Sequence, residues 1–125
     1  MDRRLLLCAG IAGFLGVALG AFGAHAMKAR LSPEMLAVFE TGVRYQMYHV
    51  FAILAAAWGW SRWNARVFAF AGALFVAGIV VFSGSLYLLA FTGIRWWGAI
   101  TPLGGLAFLA GWLCLAWGAA SRLRP

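Results

Sequence analysis

The stretch LLLCAGIAGFLGVALGAFGAHA, Leu5 to Ala26, decides the fold. It is almost wholly apolar and holds five glycines. As a helix it reaches roughly 33 Å, enough to cross a bilayer. Retained, it is the first of four spans; removed, it leaves three. Its surroundings imitate a secretory signal, with Arg3 and Arg4 ahead and Ala24-His25-Ala26 as an Ala-x-Ala cleavage site. Against that, the run is longer than a usual signal core. Cys8 does not read as a lipoprotein cysteine, because Leu7 is bulky and little apolar sequence precedes it. The glycines are also ordered: Gly13, Gly16, Gly20 and Gly23 project within one narrow arc. Glycine weakens a helix, so a one-sided set implies close approach of another helix, from the same chain or from a second copy.

Composition agrees with a membrane solvent. Hydrophobic residues make up 65% and charged residues 10%, whereas a soluble domain carries about a quarter charged. The net charge of +7 comes from residues that punctuate apolar runs, as lipid-flanking anchors do, and no nucleic-acid face is formed. Zinc-type cysteine spacing, a Gly-Lys phosphate loop and a Gly-x-Ser-x-Gly elbow are absent from the sequence. Cys8 and Cys114 each sit in an apolar run and read as small buried residues.

Beyond the first run, Met27 to Ser32 reads as a loop. Ser32-Pro33-Glu34 is a helix start: a capping hydroxyl, proline at the first helical position, and an acid in the first turn. Met35, Leu36, Val38 and Phe39 then give a short amphipathic segment, with Gly42 a place for a bend. The expected spans are 5–26, 44–60, 67–91 and 99–120, an all-α integral-membrane four-helix bundle in one domain. The second is short, so Arg44 enters the interface. Trp58, Trp60 and Trp63 mark its far end. Thr101-Pro102 falls in the first turn of the last span, where proline is tolerated. Six basic residues (Arg3, Arg4, Arg62, Arg66, Arg122, Arg124) face four (Lys28, Arg30, Arg44, Arg95), which places both termini in the cytoplasm.

Polar side chains gather in the opposite, outer half. They are His25, Glu40, Arg44, Tyr45, Gln46, Tyr48 and His49, with Ser83, Ser85, Tyr87 and Thr101 from the later spans. Glu40 and Arg44 are four apart in the favourable order. Two readings stay open. The groups can pair with one another and lock the bundle, with Glu40 neutralising Arg44. Alternatively they form a site for a polar solute, a lipid headgroup or protons in a small oligomeric transporter. His25 and His49 lack a third metal ligand, and no nucleophile–base set shares one depth, so metal, cofactor and enzymatic roles are not expected. Membrane lipids are the expected partners, with a second copy or another membrane protein left open.

Four stretches carry a family resemblance: Gly20 to Lys28, Phe39 to His49, Phe82 to Tyr87, and Thr101 to Gly105. In this order they resemble the YgdD/YwdK-like family of small multi-pass inner-membrane proteins, a domain of unknown function. Met27 stands where that pattern has leucine. The resemblance implies a retained first helix and an inner-membrane location. It implies no activity, cofactor or catalytic residue.

Overall fold

A computed structural model describes residues 2–123. The chain is all helical there: α1 (Asp2–His25), α2 (Pro33–Trp63), α3 (Arg66–Gly78), α4 (Gly84–Thr92) and α5 (Trp96–Ala120). A 3-10 turn, Met27–Ala29, links α1 to α2. A π-helical turn, Ile79–Ser83, joins α3 and α4 into one rod of 27 residues, Arg66–Thr92. Four rods therefore run up and down as a membrane bundle.

Local chemistry sets the ends. The Ser32 hydroxyl accepts from Met35 N–H at 3.2 Å, with Pro33 opening α2. Asn64 closes α2 in the left-handed region, φ 47°, donating its N–H to Trp60 O. Gly93, φ 69°, does the same for α4 towards Leu89 O, a conformation glycine adopts without steric cost. The expected amphipathic segment is present as the opening of α2, which runs as one continuous helix through Gly42. α5 starts at Trp96, earlier than the expected Ala99, so Pro102 lies in its second turn. Proline there has no N–H for the Gly98 carbonyl. Arg124 falls outside the described residues.

α2 is the centre of the bundle and touches every other rod, whereas α1 and α5 make no contact with each other. Most of its buried positions, among them Phe39, Gly42, Gln46, His49, Val50, Ile53, Ala56 and Ala57, recur at three and four residues. Aromatic rings press into gaps left by glycine. Tyr87 covers Gly42, Phe68 fits against Gly59 and Gly118, and Phe75 fits against Gly111. At Gly104 the neighbour is main chain, and even a β-carbon would strike the backbone of Phe82 in the π turn. The outer faces of α1 and α5 are apolar and open, with Phe14 74% and Leu113 71% exposed. Side chains so placed fit lipid and not water.

Three rods are long and apolar enough to cross a membrane: Arg3–His25, Arg66–Thr92 and Trp96–Ala120. α2 falls outside that set. Glu34, Glu40, Arg44 and Arg62 interrupt its apolar sequence.

Candidate functional site

The glycine arc of α1 lies against α2 of the same chain. Gly13 and Gly20 stand at van der Waals distance from Val50 and Val43, at 3.5 and 3.4 Å for an added β-carbon. Gly16 and Gly23 are tighter, facing the Met47 sulfur and the Phe39 ring. This contact brings Gln46, 4% exposed, against the α1 backbone. Its amide N–H donates to Ala12 O at 2.7 Å, and its amide oxygen accepts from the Tyr87 hydroxyl at 2.7 Å. One side chain thus ties α1, α2 and α4 together.

Ser83 and Ser85 serve neighbouring seams. Ser83 is fully buried in the π turn and donates to Gly42 O at 2.7 Å, an approach allowed because residue 42 has no side chain. Ser85 donates to Phe82 O at 2.9 Å and meets the Thr101 hydroxyl at 2.6 Å. Thr101 also reaches Trp97 O at 3.2 Å. A hydroxyl has one proton, so Thr101 donates either to Ser85 or to that carbonyl, or shares the proton between them.

His49 belongs to a different seam. Its Nδ1 lies 2.7 Å from Tyr45 O, and its Nε2 lies 3.1 Å from the indole nitrogen of Trp112. A carbonyl only accepts and an indole N–H only donates. The geometry therefore assigns a neutral ring with the proton on Nδ1. The ring stacks on Phe108, centroids 3.5 Å apart and planes within 7°.

The remaining expected residues are not in this buried set. His25, Glu40, Arg44, Tyr45 and Tyr48 are exposed. Glu40 and Arg44 form no ion pair with each other: their favourable spacing leaves two long side chains free in solvent, where pairing gains little against lost rotamer freedom. His25 sits at the end of α1, away from His49. No group of three or more possible metal ligands occurs among the described residues. Trp112, Phe108 and the carbonyls of Ala12 and Gly42 complete the networks but escaped the sequence reading. A signal existed for Trp112. Tryptophan favours the interface, and an indole N–H midway along an apolar run needs an acceptor.

Residues 19–105 match the family model described as "Protein of unknown function (DUF423)". The chain belongs to this family. DUF423 relatives cover almost its whole length. It is similar to the UPF0382 inner membrane protein YgdD of Escherichia coli, 42% identical over 94% of this chain and 90% of that protein. It is similar to the UPF0382 membrane protein YwdK of Bacillus subtilis, 41% identical over 97% and 99%. A UPF0382 membrane protein of Haemophilus influenzae is 42% identical over 94% of each chain. No solved structure matches. This DUF423 chain is thus a multi-pass membrane protein of a family whose function is unknown, as the resemblance of its four signature stretches implied.

Proposed function

We propose that the chain is a structural or accessory component of the inner membrane, without enzymatic activity, whose buried polar side chains hold the bundle together. One observation carries this reading: among the described residues, no buried side-chain nitrogen or oxygen lacks a hydrogen-bond partner. A transport or catalytic site needs donors and acceptors left available for a solute or substrate. Here Gln46, His49, Ser83 and Ser85 are satisfied by the chain itself. The voids beside them, one along Gln46 and one along His49, are surface clefts with mostly apolar walls.

In this proposal α2 is the fourth span. Its central position supports that, because it packs against all three apolar rods. The excess of basic residues on the side of Arg3, Arg4, Arg62 and Arg66 supports cytoplasmic termini. The similarity to the Escherichia coli inner membrane protein supports the inner membrane. Membrane lipids, a second copy or another membrane protein are the partners it would engage.

The reading is tested by reconstitution into vesicles loaded with a pH-sensitive dye. Proton flux equal to that of empty vesicles is expected, and flux lost on replacing His49 would overturn the structural reading. Reporter fusions at the C-terminus and in the Arg62–Arg66 connection are expected to read cytoplasm, and one after Lys28 the outside. A C-terminal fusion reading outside would sink the topology.

A further inference from the structure

A cleft of about 700 Å³ opens between α2 and α5, lined by Tyr45, Tyr48, His49, Phe82, Leu106 and Trp112 among others. We propose that it holds one anionic phospholipid, an acyl chain in the cleft and the phosphate at its rim. The proposal concerns a surface separate from the Gln46 network and stands whether or not that network is purely structural.

The shape fits an acyl chain. Along α5 the lining runs from Pro102 to Trp112, about 15 Å of helix and so about half the thickness of a hydrocarbon core, one leaflet. The chemistry of the floor fits as well. Phe82, Phe108, Leu106 and Leu109 are apolar, and both nitrogens of His49 are engaged by Tyr45 O and the Trp112 indole. The floor therefore offers nothing to a polar solute and has no polar valence that an alkyl chain would strand.

The rim has the opposite character. Tyr45 and Tyr48 line it, 38% and 55% exposed, and their hydroxyls have no partner among the described residues. Arg44 directly precedes Tyr45, is exposed and has no carboxylate paired to it. Arg95 stands just before α5, beyond the cleft lining but towards the same end of the bundle as Arg44. At that end of the bundle Lys28, Arg30, Arg44 and Arg95 outnumber the acids Glu34 and Glu40. Two donor hydroxyls and an unpaired guanidinium complement a phosphodiester, and the excess of positive charge favours a headgroup with no amine.

Native mass spectrometry of the full chain in mild detergent tests this, with phosphatidylglycerol and phosphatidylethanolamine offered in turn. One retained phosphatidylglycerol per chain is expected, held more tightly than phosphatidylethanolamine. Arg44→Ala should weaken retention about tenfold, the loss of one charge-assisted hydrogen bond, with Arg44→Lys intermediate. Arg44 is exposed, so that variant should fold. Leu109→Trp, at an exposed position on the cleft wall, should expel the acyl chain and abolish retention of both lipids. A diazirine in the acyl chain of phosphatidylglycerol should cross-link to Leu106, Leu109 or Trp112. Equal retention of the two lipids with no effect of Arg44→Ala, or cross-links spread over the outer faces of α1 and α5, would overturn the proposal and leave only annular lipid.

Discussion

Gln46 and His49 are three residues apart on α2, and they face interfaces built in opposite ways. On the Gln46 side, α1 presents glycines and its backbone comes close enough for a side chain to bond its Ala12 carbonyl directly. On the His49 side, α5 presents leucine, phenylalanine and tryptophan, and it holds the imidazole by side chains alone, stacked on Phe108 and hydrogen-bonded to the Trp112 indole. Both polar groups are satisfied, as burial demands. The difference lies in the size of what faces them. Small residues let a polar side chain bond the neighbouring backbone directly. Large ones leave it to bridge from side chain to side chain.

The strongest way to break this comparison is to put bulk where the backbones touch. Gly104→Leu would drive a side chain into the Phe82 backbone, and a rigid main chain cannot yield as the Met47 side chain can. A destabilisation of about 3 kcal/mol is expected, read as lost folded protein in a detergent melting curve. Gly16→Leu should be milder, because Met47 can change rotamer. Equal losses would show that α1 and α5 are held with similar rigidity.

Next in size is removal of the polar groups themselves. Gln46→Leu takes partners from both the Tyr87 hydroxyl and the Ala12 carbonyl and should cost about 2 kcal/mol. Adding Tyr87→Phe should recover part of that, since both partners are then apolar. Trp112→Phe strands only His49 Nε2 beside the cleft, and about 1 kcal/mol is expected. Thermal unfolding of the three variants gives the comparison, and a Trp112 effect equal to that of Gln46 would erase the distinction between the two interfaces.

The smallest effect is expected at the pair most conspicuous in the sequence. Glu40→Ala and Arg44→Ala should each change stability by less than about 0.5 kcal/mol and should add in the double variant, because the two exposed side chains make no ion pair. Coupling well above that size in the cycle would show that the pair forms in the membrane after all.

Much of this molecule was legible as a line of letters. Apolar runs, the Ser32-Pro33 cap, the Thr92-Gly93 stop and the one-sided glycines of residues 13–23 are local patterns, set by bilayer thickness and by helix periodicity, so they need no partner to be read. Gln46, Ser83, Ser85, Tyr87 and Thr101 were also visible as polar residues in apolar runs, and Gln46 with Tyr87 and Ser85 with Thr101 do pair here. Which of those polar residues turn inward was decided only by packing. Glu40 and Arg44 share a helix with Gln46 yet stay outside, because the inward arc of α2 is fixed by where α1, α4 and α5 lie. The acceptors in the networks are carbonyls of Ala12 and Gly42, residue types with no polar side chain to betray them. Trp112 finds His49 across 63 positions of sequence. Local composition determines what can cross a membrane, whereas the pairing of polar groups depends on distances that exist only once the helices have met.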